Sequence, residues 1–312
     1  MSARVVLLLG PAAALLLTPA PSHAFCQATT CNPNSPDDAC QFDENDCLIT
    51  GKPLAWRSGC VTFGVNELGS ASNGLSFEDV EDVATQAFDA WMNADCGGRS
   101  PSIEIHSIGS VECDISEYNQ KRSNANIVVF IEDEWPHTGA GNAIGITTTR
   151  FDKETGDLWD GDIELNGTIG DFSIGDPVTG TDLLSVLTHE TGHFLGLGHS
   201  PDQTATMKLM YDPAGDGTSF RTLAPDDESG ICQIYPPGRK PATTSCVNRH
   251  GFSEQCGADQ PPPGDEESKG CSATCAAAPR RVSWWGNALA SLLLVSLLAR
   301  AKSRRQGRAL AR

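Results

Sequence analysis

Apolar and polar positions alternate at Val61, Phe63 and Val65, the period of two expected of a strand with one buried face. The period then changes. Phe77, Val80, Val83, Ala84, Phe88 and Trp91 recur at helical spacing, and Ser76 with Asp79 three positions on supplies a capping box for that helix. Alternation returns over residues 103–108. Residues 126–131 are apolar almost throughout, which predicts a strand covered on both faces. After glycine-rich, polar ground at 139–142 come a β-branched stretch, 144–149, and a short strand around Ile163 and Leu165. Asp182 is placed to cap a long helix through Leu183, Leu184, Val186 and Leu187. Pro225 suits the first turn of a last helix that ends near Tyr235, before Pro236-Pro237. Strand, helix, several strands, helix, loop, helix is the order of an α/β (α+β) sandwich with a mixed sheet and few helices, one domain over residues 56–236.

The flanks read differently. Arg4 precedes an apolar run over residues 5–17, and Ser22-His23-Ala24 offers small residues at a cleavage site. Residues 1–24 are thus expected to be a signal peptide, leaving Phe25 as the new N-terminus of an exported chain. Residues 25–55 are rich in Cys, Asp, Asn and Pro and form a Cys-rich extension too short for its own core. Beyond the domain, 237–283 has the Pro, Gly and charge content of a linker. Residues 284–299 are an uncharged apolar segment, read as a membrane-spanning or sorting segment, and 300–312 a basic tail that follows it. Cys271, Cys275, the apolar span and the arginines together resemble a bacterial C-terminal sorting tail.

Charge and cysteine narrow the function. The chain carries 22 Lys+Arg against 40 Asp+Glu, a formal charge of −18, and most of its basic residues outside the domain lie in the two termini. Such a field repels phosphate backbones and excludes nucleic acid as a partner. Twelve cysteines without one CxxC pair point to disulfides in an oxidising compartment rather than to a thiolate zinc ribbon. Cys96 and Cys113, which flank the 103–108 strand, are the expected pair there. A zinc-blocking thiolate among the N-terminal cysteines is the alternative to plain disulfides.

The chemistry concentrates in Thr188-His189-Glu190-Thr191-Gly192-His193-Phe194-Leu195-Gly196-Leu197-Gly198-His199-Ser200. His189 and His193 are one helical turn apart, so both imidazoles leave the same face. Glu190 stands next to the first and can reach a water at a metal without binding the metal itself. Gly196 can take positive φ and end the helix, returning the chain so that His199 adds a third nitrogen. Three neutral nitrogens leave zinc one open position, the mark of a catalytic site.

On this motif the sequence resembles the metzincin metallopeptidases, and among them the matrixins. The resemblance implies one catalytic Zn2+ on His189, His193 and His199, Glu190 as general base, and a methionine turn beneath the metal at Leu209-Met210-Tyr211, with Met210 its methionine. It also implies that Asp226 and Asp227, at the head of the C-terminal helix, brace the chain and the methionine turn, and that Gly196 is structural. Protein or peptide substrates are then expected to lie as an added strand along Ile144, Gly145, Ile146 and Thr147, with residues 212–223 walling the pocket. A metzincin-like domain should show a mixed twisted sheet, an active-site helix and a C-terminal helix.

Calcium is a further candidate, because Asp152, Asp157, Asp160 and Asp162 offer oxygen donors of suitable hardness, with ordinary surface carboxylates as the alternative. The functional expectation is a secreted or surface zinc endopeptidase, anchored or processed at its C-terminal segment. The rival is a non-enzymatic zinc-containing binding module, and Glu190 argues against it, since a structural zinc has no use for a carboxylate there.

Overall fold

The computed structural model describes residues 25–255 apart from 138 and 170. The expected signal peptide, apolar C-terminal segment and basic tail lie outside the described residues. Along the chain run β1 (Cys60–Asn66), α1 (Phe77–Met92), β2 (Glu104–Val111), β3 (Ile127–Ile131), β4 (Gly145–Phe151) and β5 (Leu158–Asn166). The two-residue strands β6 (Phe172–Ser173) and β7 (Thr181–Asp182) lead into α2 (Leu183–Phe194), and α3 (Pro225–Ile234) closes the domain.

The sheet order is β2-β1-β3-β5-β4, parallel except for β4, which runs antiparallel to β5 at one edge. The α/β expectation and its mixed sheet are met. The continuous apolar run of β3 has the predicted cause: Val128 and Phe130 join the core on the helix side, and Ile127, Val129 and Ile131 join a second core on the opposite face. Helix α1 starts where the capping box places it, with Ser76 Oγ accepting from Asp79 N and Asp79 accepting from Ser76 N. Its buried stripe, Val80, Val83, Ala84, Ala87, Phe88 and Trp91, takes in the periodic set except Phe77, which is only partly buried, and adds Ala87.

Two expectations about the periphery are corrected. Cys96 pairs with Cys232, not Cys113, and Cys113 is itself disulfide-bonded. The link fastens the loop after α1 to α3, elements distant in sequence that share the core. Residues 237–255, read as linker, are folded onto the domain. Cys246 is bonded to Cys60, Gly59 N donates to Thr243 O at 2.7 Å, and Glu112 N donates to Glu254 O at 2.9 Å. The N-terminal cysteines form Cys26–Cys47 and Cys31–Cys40. No thiolate remains among these four to block a metal.

The four candidate calcium aspartates do not gather. Asp152 Oδ1 accepts the Glu154 and Thr155 amides of its own turn, and Asp157 Oδ1 accepts Arg57 N. Asp160 and Asp162 instead sit on β5, on the face away from Ile163 and Leu165, at 1% exposure each. Among the described residues no group of three or more close donors includes any of the four.

This buried pair carries a pH prediction. Asp162 accepts Ser116 Oγ at 2.9 Å and Ile127 N at 3.2 Å, whereas neither oxygen of Asp160 receives a hydrogen bond. Arg150 lies opposite Asp160 across β4–β5, and Glu164, paired with His137 at 3.0 Å, is the next acid along the same face. Burial, followed by the neighbouring Asp162 charge, pushes Asp160 well above the carboxylate range, and burial pushes Asp162 up to about 7. The unfolded chain loses these protons near the ordinary aspartate value of 3.8. It therefore binds fewer protons than the folded chain above that value, and the stability held at low pH is lost as pH rises toward 7. Asp160→Asn should remove much of that loss. Urea unfolding at pH 5 and pH 8 is expected to show a smaller decline in stability in the variant than in the native protein. Equal declines would refute the shared titration.

Candidate metal centre

Helix α2 is fixed at both ends by groups from distant parts of the chain. Asp182 caps it, accepting Ser185 N at 2.9 Å, and is itself held by Arg221 through Nε at 2.8 Å and Nη2 at 2.7 Å. Midway, the Trp91 indole donates to Thr188 O at 2.8 Å and locks α1 to α2. The last carbonyls of a helix have no partner within it. Here the Trp56 indole donates to Phe194 O and the Tyr235 hydroxyl to Leu195 O, both at 2.8 Å. Gly196 then turns the chain with φ 94°, and a Cβ there would lie 2.5 Å from the Leu54 carbonyl oxygen. Both the backbone and the space demand glycine, as the motif predicts.

That turn returns His199 to His189 and His193, and the ligand atoms of the three rings all lie within 4.8 Å of one another. Their tautomers are legible. His189 Nδ1 donates to Thr206 O at 2.7 Å and His193 Nδ1 to Leu197 O at 2.9 Å, which leaves a bare lone pair on each Nε2. His193 Nε2 stands 3.1 Å from His199 Nε2. Desolvation, then the neighbouring imidazoles, holds His189 well below its usual range, and desolvation, then His193, brings His199 down to about 3, so these two rings are neutral. A tetrahedral zinc with bonds of about 2.0–2.1 Å would space its nitrogens about 3.3 Å apart. The donor set therefore fits zinc.

Glu190 is 6% exposed and burial raises its pKa, opposed by the neighbouring His193 imidazole and by the Thr147 hydroxyl. Thr147 Oγ1 donates to Glu190 Oε2 at 2.7 Å. A Cβ on Gly145 would come within 2.9 Å of Glu190 Oε1, so the glycine is what lets β4 approach this closely. Gly145 and Thr147, with Ile144 and Ile146, are the residues whose main chain is expected to hold substrate, and the Thr147 side chain is engaged with Glu190. All four residues line a cleft of about 650 Å³ together with the three histidines, Glu190, Leu209, Met210 and Tyr211. Residues 212–223 do not line it; they stand behind Tyr211, whose hydroxyl donates to Gly217 O.

The methionine reading is corrected. Met210 is 71% exposed and lines the cleft, whereas Met207, 1% exposed, packs its sulfur against Gly192 on the helix that carries the histidines. Asp227 holds this segment from below, accepting Thr206 N at 2.7 Å and Met207 N at 3.1 Å. Asp226 accepts Ser200 Oγ at 2.6 Å, directly after His199. Ala205, Thr206 and Met207 are all buried, and Met207 alone of the three joins the core, a short signal that Leu209-Met210 masks in the sequence.

Comparison with known proteins agrees with this arrangement. A family model described as Matrixin matches residues 55–236. The chain is 29% identical over 203 residues to matrix metalloproteinase-C of Caenorhabditis elegans, covering 62% of this chain and 32% of that protein. It is 29% identical over 199 residues to human matrix metalloproteinase-25, covering 60% of this chain and 30% of that protein. For metalloendoproteinase 1-MMP of Arabidopsis thaliana the figures are 27% over 192 residues, 62% and 47%. The chain thus matches less than half the length of each of these relatives. With its family model spanning more than half the chain and the three histidines converging at the end of α2, the chain belongs to the matrixin family.

Proposed function

We propose that the chain is a secreted or cell-surface zinc endopeptidase that hydrolyses peptide bonds in proteins. The observation that carries this reading is the convergence of three imidazole nitrogens, two with fixed tautomers, in a cleft that also holds the Glu190 carboxylate. His189, His193 and His199 would hold the metal. Zinc bound there supplies a Lewis acid for the scissile carbonyl and lowers the pKa of water toward about 7.

The chain's own residues do the rest. Glu190 accepts a proton from the attacking water and delivers it to the departing amine nitrogen. Thr147, hydrogen-bonded to Oε2, holds that carboxylate in place at the wall of the cleft. Strand β4 is the last of its sheet, so its outer backbone edge is free to pair with an extended peptide through residues 144–147. Leu209, Met210 and Tyr211 form an apolar wall for a substrate side chain.

Export belongs to the same proposal and is supported by the disulfides. Residues 1–24 would be removed, and 284–299 would anchor or sort the chain. Among the described residues no helix is long and apolar enough to cross a membrane, so any anchoring rests on that segment. The test is cleavage of casein by purified protein, before and after chelation and after zinc is restored. Cleavage lost on chelation and regained with zinc is expected. A protein that holds one zinc and leaves casein and unfolded peptides intact would return the binding-module reading.

A further inference from the structure

We propose that residues 26–28, pinned by the Cys26–Cys47 disulfide, brace the turn between His193 and His199 and set how tightly that turn retains zinc. The proposal rests on the zinc reading above. His189 and His193 each have an Nδ1 hydrogen bond that orients the ring, to Thr206 O and Leu197 O. Among the described residues His199 has no hydrogen bond on its Nδ1, so the backbone on either side of it must place the ring.

On the far side, Ser200 N donates to Met207 O at 2.7 Å and Ser200 Oγ to Asp226. On the near side, the groups that α2 does not satisfy are met by the N-terminal extension. Ala28 N donates to Gly196 O at 2.9 Å and Gly198 N donates to Cys26 O at 2.8 Å, with Gln27 bridged antiparallel to Leu197. Ala28 O in turn accepts Leu54 N at 2.8 Å, and the carbonyl of Leu54 is the atom that crowds Gly196. Cys26 is 6% exposed, and its disulfide to Cys47 ties this short strand to the rest of the extension.

The placement separates a brace from a plug. None of residues 25–55 lines the cleft. Removing a blocking segment would raise activity, whereas removing a brace lowers metal retention. Partners that orient a ligand from behind typically change metal affinity about 10–100-fold when lost.

The experiment is zinc affinity, measured by competition with a chromogenic chelator, for the native protein, Cys26→Ser/Cys47→Ser, Cys31→Ser/Cys40→Ser and Ala28→Pro. The Cys31–Cys40 link lies in the same extension but outside the strand that touches the turn, so it controls for general loosening. The expected result is about tenfold or greater weakening in Cys26→Ser/Cys47→Ser and in Ala28→Pro, with Cys31→Ser/Cys40→Ser close to native. Ala28→Pro keeps every disulfide and removes the donor to Gly196 O while also fixing φ at residue 28 and restricting Gln27, so it perturbs this strand alone and reports even where the double variant fails to fold. Faster amide exchange at Gly198 in the metal-free variants is expected alongside. Native-like affinity in Ala28→Pro and in Cys26→Ser/Cys47→Ser, or equal weakening in both cysteine variants, would overturn the brace. Native protein that takes up no zinc would overturn the zinc reading, and the brace with it.

Discussion

Glu190→Gln is expected to lower peptide hydrolysis about 10²–10⁴-fold while zinc content stays at the native level. Glutamine keeps the size of the side chain and can still accept the Thr147 hydroxyl, which now reaches Oε2 at 2.7 Å. What it lacks is a basic oxygen for the water proton. Because Glu190 is not one of the three converging nitrogens, metal retention should be indifferent to the change. Zinc stoichiometry by elemental analysis, beside initial rates on one peptide, separates the two roles. A variant that loses its zinc would make Glu190 a supporting group of the metal centre. One that cleaves within threefold of native would remove it from proton transfer.

The parts of this structure legible in the sequence are those set by local spacing. The capping box at Ser76, the α1 stripe, the both-sided burial of β3 and the glycine at 196 each depend on residues within a few positions of one another. The histidine convergence was legible for the same reason, since two ligands lie on one turn and the third follows a glycine bend. What escaped was decided by partners far along the chain. Cys96 meets Cys232 because α1 and α3 pack on one core, and spacing alone favoured the nearer Cys113. Asp160 and Asp162 look like surface acids beside a turn, yet chain segments from 111 to 125 cover that face of the sheet. Met207 and Met210 are equivalent as sequence. Burial against Gly192 and two amide bonds from Asp227 select Met207.

That selection makes Asp227→Ala the substitution with the largest expected cost to stability. Asp227 is fully buried, and its two oxygens accept three backbone amides: Thr206 at 2.7 Å, Met207 at 3.1 Å and Ala224 at 2.8 Å. Burial raises its pKa, and those three donors act against the rise, in support of the charged form. Alanine would strand three buried N–H groups, each with a desolvation cost of about 1–3 kcal/mol. Relaxation and water entry recover part of this, so a loss of about 3–5 kcal/mol is expected from urea unfolding. Asparagine keeps one acceptor oxygen and should cost less. The damage should also reach the metal centre. Thr206, whose amide Asp227 holds, offers its carbonyl to His189, and Met207 supports the helix between His189 and His193. Asp227→Ala should therefore weaken zinc retention at temperatures where the variant is still folded. A destabilised variant with native zinc affinity would confine Asp227 to the fold, and a variant as stable as native would mean that Met207 is held by packing alone.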